Sequence, residues 1–192
     1  MSENRGDGGV SIAGTHVSRA DAPLIPVAGS SVVVLGLGNL LRRDEGLGIR
    51  AMERLHARYA LPEGVLLVDG GTLGLDLLCY LEEAGRVLIL DAALTEGPPG
   101  TLLRITGDDI PAFFGMRTSP HEIALADLLA VTKLRGTEPH ELVVLGMQPQ
   151  ELELGWELSE PVAAHLDALV DAATTELRRW GLNLARRETW VE

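Results

Sequence analysis

The sequence has little cysteine, few aromatic side chains and a deficit of basic charge. Its single cysteine, Cys79, excludes an internal disulfide framework and any metal site built from paired cysteines, which fits a reducing compartment. Aromatic residues make up only 4% of the chain, so surfaces built for aromatic stacking are not expected. With 16 basic against 28 acidic residues, the net charge of −12 argues against nucleic acid and anionic membranes as partners.

The sequence also lacks any apolar run of the roughly 18 to 20 residues that a helix needs to cross a bilayer. The first 30 residues mix glycine, serine, aspartate and proline, and they show neither a sustained apolar stretch nor paired arginines, so they resemble no secretory or twin-arginine signal. We therefore expect a cytoplasmic protein. We predict a disordered N-terminal tail at residues 1–30, a single domain at 31–180 and a C-terminal tail at 181–192.

Strand-like and helix-like segments alternate along the domain. Short apolar runs predict strands at residues 31–35, 65–68, 86–91 and 141–146, with an extra strand of undetermined direction at 101–106. Helical spacing of apolar residues predicts helices at residues 45–59, 73–84, 121–133 and 159–180. Because short connections favour parallel pairing with right-handed crossovers, we predict a three-layer α/β/α sandwich with a mostly parallel sheet.

Three acids lie where such sheets place their binding sites, beyond the carboxyl ends of the strands. Asp44 and Glu45 follow the first strand, and helix capping with the helix dipole is a sufficient explanation for both. Asp91 ends the third strand after four apolar residues. A carboxylate leaving a buried strand costs free energy unless it is hydrogen-bonded, paired or metal-bound, so a cap and a functional role are equally compatible with Asp91.

His121 belongs to the segment Ser119-Pro120-His121-Glu122, which has the pattern of a capping box with proline at the first helical position. That pattern explains every residue except His121, for which a lone surface histidine is the simpler alternative. The helix dipole disfavours an imidazolium in the first turn and so favours the neutral, metal-binding form. Together with the acids, His121 would complete an oxygen and nitrogen ligand set for a borderline divalent metal.

The segment Asp69-Gly70-Gly71-Thr72 follows the second strand. Its glycines let a substrate backbone come close, and the alternative is a strand-to-helix turn with a threonine cap. Other catalytic patterns are missing: the sequence has no Gly-x-Ser-x-Gly, and Cys79 lies on the apolar side of a predicted helix. A nucleotide-binding module is disfavoured because Leu41 occupies the third glycine position of the dinucleotide fingerprint.

A set of sequence blocks, in this order, resembles the hydrogenase maturation protease family: GLGNLLRRDEGLGIRAMERL, VDGGTLGLDLL, LILDAAL, GPPGTLLRI, SPHEIALADLLAV and VVLGMQP. The resemblance implies a five-stranded twisted sheet flanked by helices on both faces. It also implies an endopeptidase that removes the C-terminal extension of a [NiFe]-hydrogenase large-subunit precursor.

The resemblance assigns recognition of nickel, and with it the catalytic site, to Glu45, Asp91 and His121. It implies that the precursor supplies the nickel, so no tightly held metal is expected in the free protein, which we expect to be a monomer. Substrate contact by Asp69, Gly70, Gly71 and Thr72 remains a hypothesis, and the attacking water could be activated by a carboxylate or by the metal. A non-catalytic, nickel-sensing maturation chaperone is the alternative function.

Overall fold

The computed structural model describes residues 16–17, 32–71, 75–107, 109–110 and 120–187. Its strands are β1 (His16–Val17), β2 (Val32–Leu37), β3 (Tyr59–Ala60), β4 (Val65–Gly71), β5 (Arg86–Ala92), β6 (Leu102–Thr106), β7 (Glu141–Met147) and β8 (Ala185–Arg186). Its helices are α1 (Leu47–Arg58), α2 (Leu78–Glu83), α3 (Pro120–Arg135) and α4 (Glu160–Arg179). No helix within these ranges has the length and apolar character to cross a membrane.

The main sheet has the strand order β1-β4-β2-β5-β7-β6. All neighbouring strands are parallel except β6, which pairs antiparallel with β7 at the edge. Strands β4, β2, β5, β7 and β6 confirm the predicted mostly parallel, five-stranded sheet, β1 adds a sixth strand at its edge, and the direction of the extra strand is now known. Two residues of the predicted N-terminal tail, His16–Val17, pair with β4, and the rest of that tail lies outside the described residues.

Successive residues of the central strands pack on opposite faces of the sheet. In β2, Val32 and Val34 join a core with α1 and α4, whereas Val33 and Leu35 join a second core with α2 and α3. β5 alternates between the same two cores. A strand covered on both faces needs apolar residues at every position, which explains the continuous apolar runs and gives the predicted three layers.

Helix α1 lies unusually close to the ends of the central strands. A Cβ atom at Gly48 would lie 2.0 Å from the Leu90 carbonyl oxygen and 2.6 Å from that of Leu37. At Gly36 it would lie 2.8 Å from the Gly48 carbonyl oxygen. Only glycine allows this approach, so the start of α1 is held directly over the carboxyl ends of β2 and β5.

Two helices begin later than their apolar spacing predicts. The helix expected over 45–59 is a 3-10 helix at Arg43–Gly46 followed by α1, and Arg43 adopts the left-handed region at φ 40°. The helix expected over 73–84 is a 3-10 helix at Leu75–Leu77 followed by α2, and Thr72, its expected cap, lies outside the described residues. Apolar spacing alone does not distinguish a 3-10 turn from the first turn of an α-helix.

The segment after α4 turns back onto the domain. Gly181 has φ 84°, Leu184 is buried, and β8 pairs antiparallel with β3. Residues 181–187 of the predicted C-terminal tail thus return to the domain through Leu184 and β8, and residues 188–192 lie outside the described part of the chain.

Candidate functional site

Asp91 is the penultimate residue of β5 and is only 1% exposed. Its Oδ1 accepts a hydrogen bond of 2.8 Å from the backbone N–H of Ala92. The residue opposite Asp91 on β7 is Gly146, where a Cβ atom would lie 2.3 Å from the Cβ of Ala93. The Asp91 carboxylate is therefore held at the carboxyl end of the central sheet. The opposite position on β7, Gly146, has no space for a side chain.

Glu45 lies at the same edge, in the 3-10 helix between β2 and α1, and is 7% exposed. Its carboxylate forms an ion pair of 3.0 Å with the Nε of Arg42. Its backbone oxygen accepts a hydrogen bond of 3.2 Å from Asn39 and faces Gly38, where a Cβ atom would lie 1.7 Å away. The glycine at 38 is thus required by the turn that carries Glu45, and not by a bound phosphate.

Asp44, next to Glu45, is fully buried and accepts four hydrogen bonds from the loop after β7. The backbone N–H groups of Gln150 and Glu151 donate to Oδ2 at 2.9 and 2.8 Å. Ser159 donates its N–H to Oδ1 and its hydroxyl to Oδ2, both at 2.7 Å. Neither the 3-10 helix nor α1 has a side-chain cap hydrogen bond, and these four hydrogen bonds of Asp44 hold the loop after β7.

We call residues 38–46 the β2 loop and residues 148–159 the β7 loop. Backbone hydrogen bonds of 2.9 Å run from Arg43 N to Gly155 O and from Gly155 N to Leu41 O. The Nε of Arg42 donates to the Leu152 carbonyl oxygen at 3.0 Å, and Arg43 forms an ion pair with Glu151. The two loops are bonded into one unit, a support for Glu45 that no pattern in the sequence indicates.

The Asp69-Gly70-Gly71 segment forms a bulge at the end of β4. Gly36 pairs with Asp69 and Leu37 pairs with Gly71, which leaves Gly70 as an extra residue. The Gly71 carbonyl oxygen accepts a hydrogen bond of 3.0 Å from Gly38 N, and Gly71 has φ 45°. The bulge therefore lies beside the β2 loop at the same edge of the sheet, while Thr72 is outside the described residues.

His121 is the second residue of α3, and its side chain lies outside the part of the chain that the structure describes. Helix α3 is followed by the short connection to β7, so its last turn lies at the amino edge of the sheet. The strand that precedes α3 in the chain, β6, is antiparallel to β7, so α3 does not connect two parallel strands. Among the described side chains, which exclude His121, no three histidine, cysteine or acidic residues form a metal-binding group.

Comparison with known proteins places this site in a family. The hydrogenase maturation protease family, HycI, matches residues 49–176. The hydrogenase expression/formation protein HupD of Rhodobacter capsulatus is 42% identical over 160 residues, which cover 82% of this chain and 76% of the relative. The hydrogenase 2 maturation protease of Escherichia coli K12 is 35% identical over 82% of this chain and 96% of its own length. The chain belongs to the hydrogenase maturation protease family.

Solved structures of similar proteins support the same family assignment. The hydrogenase maturating endopeptidase HybD from E. coli has a TM-score of 0.79 at 34% identity, covering 81% of this chain and 97% of that one. The [NiFe] hydrogenase maturation protease HybD from Thermococcus kodakarensis has a TM-score of 0.61 at 28% identity, with 76% and 97% coverage. The chain is therefore an endopeptidase of hydrogenase maturation, and these matches favour this function over a nucleotide-binding module or a non-catalytic chaperone.

The only thiol of the protease belongs to α2. Cys79 is half-buried in α2, packs against the second core and donates a hydrogen bond of 3.4 Å to the Asp76 carbonyl oxygen. Burial raises the pKa of the Cys79 thiol above its ordinary value of 9.0. A thiol of raised pKa stays protonated at neutral pH and is a poor nucleophile, so the packing role that the sequence predicts for Cys79 is confirmed.

Proposed function

We propose that this protease removes the C-terminal extension of a nickel-loaded [NiFe]-hydrogenase large-subunit precursor, and that Glu45, Asp91 and His121 recognise the nickel in the precursor. The observation that carries the proposal is the burial of two carboxylates from separate elements, Glu45 and Asp91, at one edge of the sheet. Carboxylate oxygens are ligands for divalent cations, and two of them at one edge could contact a cation brought by the substrate. By the family resemblance, His121 would complete this set of ligands from the first turn of α3.

The ligand types of these side chains suit transient contact with a metal held by the substrate rather than tight binding of a metal by the protease itself. Carboxylate oxygens and an imidazole nitrogen are ligands for a borderline divalent ion such as nickel, whereas a chain with one cysteine has no multi-thiolate site to compete with the substrate. Arg42, which pairs with Glu45, would neutralise that carboxylate until the precursor arrives. Hydrolysis would then use a water activated either by a carboxylate or by the nickel of the substrate.

The segment Asp69-Gly70-Gly71-Thr72 would contact the precursor beside the nickel. Its support is the β4 bulge, where Gly70 and Gly71 leave the backbone without side chains next to the β2 loop.

We further propose that the protease acts as a monomer in the cytoplasm. The single, reduced cysteine agrees with that compartment.

The test uses purified protease and precursor, with the shortened subunit detected by mass spectrometry. Wild-type protease should process nickel-loaded precursor and leave nickel-free precursor uncut. His121→Ala should abolish processing and leave the circular dichroism spectrum unchanged. His140→Ala is the matched control, because His140 is an exposed histidine at the opposite, amino edge of the sheet. Full processing of nickel-loaded precursor by His121→Ala would contradict the assignment.

A further inference from the structure

The exposed large hydrophobic side chains of the described residues are concentrated at one edge of the sheet. Six of the seven lie at the carboxyl edge, and the seventh, Leu134, lies in the last turn of α3 at the amino edge. The six are Leu41, Leu94, Leu102, Leu152, Leu154 and Trp156. An even scatter of exposed hydrophobics is normal for a protein surface, whereas a concentration next to a site indicates an interaction surface.

Four of these side chains belong to the paired β2 and β7 loops, and we call them the docking patch: Leu41, Leu152, Leu154 and Trp156. Leu154 is 84% exposed and Trp156 is 68% exposed. Between them, Gly155 is bonded through its N–H to the Leu41 carbonyl oxygen at 2.9 Å, so the two loops that carry the patch are joined at its middle.

The patch is exposed although its backbone is fixed. The carbonyl oxygens of Leu152, Trp156 and Glu157 accept hydrogen bonds from the side chains of Arg42, Arg50 and Arg43 respectively. These bonds hold the backbone while the Leu154 and Trp156 side chains remain in water. A rigid loop that presents a tryptophan to solvent has the features of a preformed binding surface, since ordering it costs little when a partner arrives.

We propose that the docking patch binds a segment of the hydrogenase precursor that carries apolar and basic side chains. Arg42 joins the patch to the site, because its Nε lies 3.0 Å from both the Leu152 carbonyl oxygen and the Glu45 carboxylate. A polypeptide bound at Glu45 therefore also reaches the patch. The exposed acids Glu153 and Glu157 alternate with the apolar side chains and favour basic neighbours on the partner. This inference rests on the proposed function only in naming the precursor as the substrate.

The partner in this proposal is the precursor rather than a second copy of the chain. A second copy would bring the same acids opposite Glu153 and Glu157, and the whole chain carries a net charge of −12. Like charges across an interface oppose association, whereas a basic segment would gain from both the apolar and the acidic side chains.

The experiment compares the double variant Leu154→Ser/Trp156→Ser with wild type in steady-state cleavage of nickel-loaded precursor. The KM should rise about tenfold or more, as expected when an interface loses a tryptophan anchor, while kcat stays within about twofold. Leu134→Ser is the matched control, because Leu134 is 89% exposed but lies at the opposite edge, and it should change neither constant. Thermal unfolding of all three proteins should coincide, since the altered side chains are exposed.

Hydroxyl-radical footprinting of the wild-type protease provides a second measurement that needs no variant. Trp156 should be oxidised in the free protein and protected when precursor is in excess. An unchanged KM in the double variant, a fall in kcat alone, or an equal effect of Leu134→Ser would overturn the proposal. So would a wild-type dimer in light scattering that the double variant converts to a monomer. Cleavage of nickel-free precursor by wild type would refute nickel recognition instead and leave the KM comparison valid.

Discussion

Asp44 and Ser159 lie 115 positions apart in the sequence, and the carboxylate of Asp44 accepts hydrogen bonds from both the backbone N–H and the hydroxyl of Ser159 at 2.7 Å. Ser159 is the N-cap residue of the long helix α4, so this contact joins the start of α4 to the loop that carries Glu45. A buried carboxylate is tolerated here because all of its charge is met by donors from the β7 loop. The Asp44 contacts therefore connect the stability of the domain to the geometry of its site.

Replacing Asp44 should destabilise the domain more than replacing its partner. Asp44→Ala leaves the N–H groups of Gln150, Glu151 and Ser159 without their acceptor, so we expect a loss of about 3 kcal/mol or more in the free energy of unfolding. Ser159→Ala removes only the hydroxyl bond and should cost about 1 kcal/mol. Urea unfolding measures both. Equal losses in the free energy of unfolding for the two variants would show that the backbone N–H groups form hydrogen bonds to water once the carboxylate is removed.

Gly48→Ala tests the close approach of α1 to the strands. The added methyl group would meet the backbone oxygens of Leu90 and Leu37 at 2.0 and 2.6 Å, so the helix must shift. We expect a loss of about 3 kcal/mol or more, together with loss of processing because Glu45 moves with the helix start. Gly181→Ala is the control: it has φ 84° and open space around it, and should cost about 1 kcal/mol without affecting processing. Full activity of Gly48→Ala would contradict the role of this packing.

Arg104→Met should make stability less dependent on acid pH. Arg104 donates two hydrogen bonds, of 2.9 and 3.0 Å, to the buried carboxylate of Glu176. The hydrogen bonds from Arg104 lower the pKa of Glu176 below its usual 4.5, although burial acts in the opposite direction. Because the pKa is lower in the folded state, the contribution of the pair is complete above pH 4.5 and is lost as the pH falls through the folded pKa.

We therefore expect Arg104→Met to lose about 1 to 2 kcal/mol at pH 7, a value reduced because the Arg104 side chain is partly exposed. The difference from wild type should shrink below pH 4.5. Arg54→Met is the control, since its ion pair with Asp167 is exposed on both sides and should contribute about 0.5 kcal/mol or less. A difference that grows with acidification in urea unfolding would rule out this assignment.

Cys79→Ala should leave the rate of precursor processing unchanged. The thiol is half-buried in α2, and its pKa is raised by burial. The measurement is processing with and without a thiol-alkylating reagent. A fall of about tenfold or more in the rate for Cys79→Ala, at unchanged stability, would indicate a nucleophilic role for the thiol.

Asp69→Ala tests whether the β4 bulge contacts the precursor. If it does, processing should slow by about tenfold or more and binding of the precursor should weaken, because a polar contact beside the scissile segment is lost. Glu63→Ala, an exposed acid in the turn before β4, is the control. Unchanged processing and unchanged binding in Asp69→Ala would leave the bulge with a purely structural role.

Most of the fold could be predicted because its evidence is local. β2 and residues 87–90 of β5 are continuous apolar runs, and their alternating contacts with two cores explain why no polar residue interrupts them. Pro120 begins α3, as expected of proline at a first helical position. The direction of β6 was not predictable, since it depends on the pairing of Leu102 with Met147 and not on the residues within the strand.

The supports of the site were less predictable because they are distant in sequence. The acids after β2 and β5 could be chosen as candidates from their positions at strand ends. The role of Asp44 could not, because its donors begin at Gln150 and no pattern near residue 44 indicates them. Arg43 at φ 40° likewise gave no signal, since arginine rarely adopts that conformation.

The bond between Asp44 and Ser159 also sets an order of events during protein synthesis. At a ribosomal rate of about 5 to 20 residues per second, Ser159 is made on the order of ten seconds after Asp44. During that interval the β2 loop exists without the four donors that hold it. A nascent chain therefore contains Glu45 and Asp91 before it contains the loop that holds the β2 loop in place, and we expect processing activity only after translation has passed the β7 loop.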